Sequence, residues 1–214
     1  MNTEELIEKL SQETSGKATL RSPMYYGLCL IATLLLYAIG SFFFFDVRSD
    51  IAIQFGRFSY LLEIVLLIFL VLSSAFAAIF SMYPDAHQKP LIIKIPYAVF
   101  ALLTTFIIVQ VVAMPFDPRM VILSDDHGIQ CALCIAAVSF LPSILIFGLL
   151  RKGASVTPLF AGSFAVLAVA ALGSLVLRLT EANDSLMHIA LWHYVPILIF
   201  SVIGASLGKW LLRW

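Results

Sequence analysis

Residues 59–82 read SYLLEIVLLIFLVLSSAFAAIFSM. As a helix rising ~1.5 Å per residue this stretch is about 36 Å long, enough to cross a hydrocarbon core of about 30 Å. Its one ionisable side chain, Glu63, stands about a turn inside the boundary. A run that is apolar on every face belongs in lipid or in the centre of a large core. Five more runs of this kind flank it, from Met24 to Phe45, Pro96 to Met114, Gln130 to Leu150, Pro158 to Leu179 and His188 to Leu207. Together they take up most of the 214 residues, which excludes the large-core alternative. No room remains for a soluble catalytic domain.

The composition agrees. The chain is 61% hydrophobic and 12% charged, with a mean hydropathy of +1.00, whereas soluble domains run nearer half apolar and a quarter charged. The expectation is an all-α integral membrane protein, a six-transmembrane-helix bundle over residues 23–214 behind a cytoplasmic arm, residues 1–22. The connections between runs are short, so consecutive helices should be antiparallel neighbours. Thirteen basic residues balance thirteen acidic ones, so the clustered positive excess that direct nucleic-acid binding needs is missing. Glu4, Glu5, Glu8 and Glu13 exclude the basic start of a signal peptide, and the first run reads as an uncleaved span.

Lys and Arg near the span ends set the orientation. Lys9, Lys17, Arg21, Lys89, Lys94, Arg151, Lys152, Lys209 and Arg213 share the side of the N-terminus, against Arg48, Arg57, Arg119 and Arg178 on the other. Both termini are therefore expected in the cytoplasm. The opposite face, with Asp46, Asp50, Asp117, Asp125, Asp126, Glu181 and Asp184, is expected to be acidic. Trp192, Trp210 and Trp214 suit interfacial positions. Pro142 and Pro196 should kink the fourth and sixth spans. Gly204 with Gly208, and Ala161 with Ala165, permit close helix approach.

The arm reads as a short amphipathic helix. Asn2 caps it with Glu5 three residues on, and Leu6, Ile7 and Leu10 share one face. About thirteen residues of helix are marginal alone in water, so this stripe needs a surface. Four carboxylates disfavour anionic lipid, which favours a protein partner, with Arg151 and Lys152, beside Lys89 and Lys94, as a polar rim.

On the opposite side His127, Cys131 and Cys134 are spaced i, i+4 and i+7 and fall on one helical face. An imidazole and two thiolates suit a soft metal ion or redox chemistry, with His188 joining if the sixth helix is adjacent. A bland reading competes, because cysteine is also an ordinary small residue of buried helices. A disulfide between Cys131 and Cys134 would require the helix end to unwind. Glu63, the one acidic residue within a span, is expected to pair with Arg57 or Arg178, since an unpaired intramembrane carboxylate is costly. No nucleophile-and-base, zinc-protease, P-loop or dinucleotide pattern is present. An enzyme is not expected, and no resident cofactor beyond a transient soft metal ion.

Several short stretches together resemble a known family. They are Glu5-Leu6-Ile7 with Leu10, Arg48-Ser49-Asp50, Cys131 ten residues before Leu141-Pro142, and Arg151-Lys152-Gly153-Ala154 followed by Thr157-Pro158 and Ala161-Gly162. Asp184-Ser185 before Ala190-Leu191-Trp192 and the closing Leu211-Leu212-Arg213-Trp214 complete the set. At these spacings the chain resembles the NrsF-type negative regulators of extracytoplasmic-function sigma factors. The resemblance implies a six-span inner-membrane protein of Gram-negative bacteria that holds a sigma factor inactive at the lipid bilayer and releases it under metal or oxidative stress. It also implies two outward-facing cysteines needed for release. Cys131 matches the first, and the second falls near Thr180 or Glu181, where this chain has no cysteine. Cys134, one turn from Cys131, is the nearest second thiol. The alternative from another class is a small transporter or channel using Glu63, His193 and the kinked spans as a path.

Overall fold

A computed structural model describes residues 2–14, 20–113 and 128–213 of the chain. His127 and the Pro115 to His127 connection, with its acidic residues, lie outside the described residues, as do the side chains of Leu6 and Leu10.

All six spans are present as helices, and no strand occurs among the described residues. They run Pro23–Ser41, Phe58–Phe80, Pro90–Ala113, Gly128–Leu150, Pro158–Thr180 and Leu186–Leu211, each long and apolar enough to cross a membrane. The expected boundaries shift in three places. The first span stops at Ser41, four residues early, and Phe43 and Phe44 beyond it are almost fully exposed, as suits rings at a bilayer interface. The third begins at Pro90, so Pro96 lies inside the helix instead of opening it. Leu91, Ile92, Ile93 and Ile95 extend the apolar run, and Lys94 is long enough to reach back to the interface. The sixth reaches from Leu186 to Leu211.

The two expected proline kinks resolve differently. Pro142 lies inside a helix assigned without a break. Pro196 follows a wide π-helical stretch, Ile189–Tyr194, flanked by α-helix on both sides. Proline has no N–H to give the preceding turn, and the wider turn is how this helix accommodates it.

The fifth span is the axis of the bundle. It packs against the sixth, second and fourth spans and is buried on nearly every face. Its alanines, glycines and serines make this possible, because without a hydrophobic drive between helices in lipid, close approach and van der Waals contact carry association. Contact is closest where Gly162 meets Gly204 and Gly208. A β-carbon on Gly204 would lie 2.6 Å from the Gly162 carbonyl oxygen and 2.5 Å from Val166 Cβ. Leu67, Leu70, Ile79, Phe164, Leu167 and Ile197 fill the core around this crossing. Outward-facing Leu35, Leu36, Leu102, Val112, Phe140 and Val202 remain exposed. Apolar area spread over every span is what a lipid environment stabilises, and it exceeds what a soluble monomer shows to water.

At the end that carries the termini, the Ala154 N–H donates to the Met82 carbonyl at 2.9 Å. The two connections there thus pack together, and Gly153 permits the approach, since any β-carbon would meet Met82. Arg151 Nε donates to the Leu211 carbonyl at 3.1 Å, and Arg151 and Lys152 are exposed. The arm is a helix, Thr3–Thr14. The Asn2 N–H donates to Glu5 at 3.2 Å, which is half of the expected capping box, and Ile7 is exposed.

Candidate functional site

The polar residues of the opposite end assemble into two linked clusters. The first is built around two buried arginines. The connection after the first span is tied down by the Arg48 N–H donating to the Leu179 carbonyl at 3.1 Å. This places the Arg48 guanidinium between two carboxylates, Asp50 at 2.7 and 2.9 Å and Asp184 at 2.8 and 2.9 Å. Gln54, one turn into the short helix Ile51–Phe55, donates to both. Two paired forks of this kind fix direction as well as energy.

Arg178, in the last turn of the fifth span, suits the negative end of the helix dipole. Its Nε and Nη2 donate to the two oxygens of Glu63 at 2.8 and 3.1 Å, and Nη1 reaches Asp184 at 3.3 Å. The Tyr194 hydroxyl donates to Glu63 at 2.7 Å. Tyr60 donates to the Arg178 carbonyl at 2.8 Å and lays its ring against both guanidinium groups. Of the two partners expected for Glu63, the structure selects Arg178.

The second cluster centres on Glu181, just past the fifth span. Cys131 Sγ donates to its oxygens at 3.4 and 3.3 Å. His193 Nε2 lies 2.9 Å from Oε2 in a hydrogen bond. His188 Nε2 lies 3.1 Å from Oε1. The two imidazole rings stand edge to face, 5.4 Å apart. The ligand atoms of Cys131, Glu181, His188 and His193 all fall within 4.8 Å of one another.

Charge pairing shows in the groups outside the spans. The hydrogen bonds of Asp184 and then Asp50 hold the Arg48 guanidinium well above its ordinary value. The Arg48 hydrogen bond, followed by that of Gln54, holds Asp50 far below the usual carboxylate range. Asp184 is likewise lowered, chiefly by its hydrogen bond from Arg48. Burial pushes the Glu181 carboxyl up, but the His193 hydrogen bond and charge outweigh it, and Glu181 titrates below its ordinary value.

Of the expected sensor residues, Cys131 enters this cluster and is buried. Cys134 is half-buried one turn away and lines a cavity of about 400 Å³ with Phe44, Phe45, Asp46, Cys131 and Glu181. His188 joins, as adjacency of the sixth helix required. Glu181 and His193 were legible only singly, one as the position without a second cysteine and the other as a polar residue of the transporter path. Nothing in the local pattern places them beside Cys131. Their spacing across three helices carries no signal that a single sequence displays.

Six apolar helices, with the buried ionisable groups of the described residues gathered at one end, define a multi-pass membrane protein. The model of the family NrsF, negative regulator of sigma F, matches residues 10–214. The chain belongs to this family, and its partner is accordingly a sigma factor. No curated protein and no solved structure matches it.

Proposed function

We propose that this protein is a membrane-embedded anti-sigma factor of the inner membrane that holds an extracytoplasmic-function sigma factor inactive and releases it on metal or oxidative stress. The observation that carries the reading is the family match across nearly the whole chain, including all six spans. The excess of Lys and Arg on the side of the termini supports an orientation with both termini in the cytoplasm. The sigma factor then meets the arm helix, with Leu6, Ile7 and Leu10 as apolar anchors and Arg151 and Lys152 as rim. Such anchors dominate binding over rim charges.

Release requires the signal to interact differently with the holding and releasing states. The cluster around Glu181 offers such a place, because it joins the fourth, fifth and sixth spans, and the last two run back toward the cytoplasmic face. No catalytic step is involved. The transporter alternative draws on Glu63 and His193, but Arg178 and Tyr194 engage the first and Glu181 the second.

The test is affinity purification of the full chain from gently solubilised membranes, with and without Leu6→Asp and Leu10→Asp together. A sigma factor should co-elute with the parent chain and be lost from the double variant while the bundle stays monodisperse. Absence of any sigma factor from the parent eluate would refute the function. Undiminished retention by the variant would refute the role of the arm.

A further inference from the structure

We infer that Cys131, Glu181, His188 and His193 form a four-ligand site for a divalent cation of the zinc and cadmium class, loaded from the side facing away from the termini. Three helices converge on one point. Cys131 comes from the fourth span, Glu181 from the end of the fifth, and both histidines from the sixth. One thiolate, one carboxylate and two imidazoles are a donor set that such borderline to soft ions take in tetrahedral geometry. Bonds of about 2.0–2.3 Å give ligand-to-ligand edges of roughly 3.3–3.8 Å. The contacts between Glu181 and the other three already span 2.9 to 3.4 Å. The widest separation, at most 4.8 Å, closes to such an edge by about 1 Å of side-chain motion.

Charge gives a second, independent reason. Among the described residues, the buried Arg48 and Arg178 pair with Asp50, Glu63 and Asp184 and make no ion pair with Glu181. Glu181 instead meets the Cys131 thiol and the two imidazoles. A divalent cation bound to the Glu181 carboxylate and the Cys131 thiolate is locally neutral, which a site of low polarity favours over an unbalanced charge. The balance is simple. The thiol loses its proton to solvent as the sulfur–metal bond forms, and the His193 proton passes from Nε2 to Nδ1, so about one proton is released per cation.

The helix geometry gives a third. His188 and His193 are five residues apart, which in an α-helix points them about 140° away from each other. The π-helical stretch Ile189–Tyr194 widens the turn so that the two rings meet. Wide turns of this kind gather at functional sites. Metal held by both histidines stabilises that register and resists its return to regular α-helix. His193 Nδ1 is buried without a hydrogen-bond partner. A ligand imidazole with no outer partner weakens binding by about 10–100-fold, which suits a cation that is held only when abundant and exchanges. The cavity lined by Phe44, Asp46, Cys131 and Glu181 reaches two of the four ligands from outside the bundle.

Metal binding does not depend on the proposed function, and only its consequence for sigma-factor release rests on that reading. The experiment uses the purified full chain in detergent, stripped of metal and titrated with Co2+, whose visible and near-ultraviolet bands report tetrahedral geometry and a thiolate bond. One equivalent should bind, Zn2+ and Cd2+ should displace it, and calorimetry in two buffers should show about one proton released. Cys131→Ser should abolish the thiolate band. Glu181→Gln and His193→Gln should each weaken binding about tenfold or more, while Cys134→Ser and Cys29→Ser leave it unchanged. Monodispersity of each variant separates lost ligation from lost fold, and Glu181→Gln, which keeps size and hydrogen bonding, serves where Cys131→Ser misfolds. Failure of the parent chain to bind any of the three ions at micromolar concentration would overturn the proposal. So would a thiolate band that persists in Cys131→Ser or vanishes in Cys134→Ser. Co-elution of the sigma factor from the same preparations tells a failure of this site from a failure of the proposed function.

Discussion

Replacing Arg178 by Ala strands a carboxylate in the bundle. The Glu63 side chain is 5% exposed and Arg178 3%, so neither can recover water when the other is removed. Among the described residues, Arg178 supplies two of the three hydrogen bonds that Glu63 receives, and that of Tyr194 is the third. Removing one partner of a buried pair costs about 3–5 kcal/mol, because the survivor keeps its desolvation cost without compensation. Asp184 also loses a contact at 3.3 Å, but it keeps Arg48 and is about a third exposed, so this adds little. At ~1.4 kcal/mol per factor of ten, the folded-to-unfolded ratio falls at least roughly a hundredfold. Replacing the pair together, Glu63→Leu with Arg178→Met, removes both charges and fills the volume. It leaves the Tyr194 hydroxyl without its acceptor, at about 1–3 kcal/mol. The double variant is therefore more stable than Arg178→Ala. The assay is unfolding by sodium dodecyl sulfate in mixed micelles, followed by tryptophan fluorescence, for the parent, both single variants and the double. A loss below about 1 kcal/mol for Arg178→Ala, or a double variant no better than that single one, would refute the claim that the pair is buried and mutually dependent.

Three further outcomes are expected. Ser49 and Ser185 are exposed neighbours of the acidic network, so Ser49→Cys and Ser185→Cys should react with a membrane-impermeant thiol reagent in spheroplasts and Lys89→Cys should not; the reverse pattern would invert the orientation. Gly204→Leu should destabilise the bundle by about 1–3 kcal/mol or more, since its β-carbon meets Gly162 and Val166, whereas Gly148→Leu, with open space beside it, should leave the same detergent titration unchanged. Asp50, Asp184 and Glu181 are held below their ordinary values in the fold, so the unfolded chain binds protons first on acidification. Their stabilisation is complete above the ordinary carboxylate value of about 4 and fades below it; resistance to detergent unfolding should fall as the pH drops below about 4, and a rise over that range would contradict the paired geometry.

Some of this was legible because its cause is local. A run such as residues 59–82 has to be a membrane helix wherever its neighbours lie, since its backbone must pair internally in lipid and its side chains match the solvent. The Glu63 ion pair was legible for a related reason: a carboxylate in a span needs a cation at its own depth, and Arg57 and Arg178 were the candidates. Gly204 and Gly208 announced close packing, although not that Gly162 would be the residue they close upon. Which helix faces which, and at what rotation, depends on packing among all six spans, and the uniform apolarity that identifies each span erases the periodicity that would reveal it. So the regular spacing of His127, Cys131 and Cys134 pointed along one helix, whereas the structure gathers Cys131, Glu181, His188 and His193 from three. The π-helical turn that aligns the two histidines is likewise a tertiary outcome, because the Pro196 that requires some adjustment is a local fact and the choice of a wider turn is made by what packs around it.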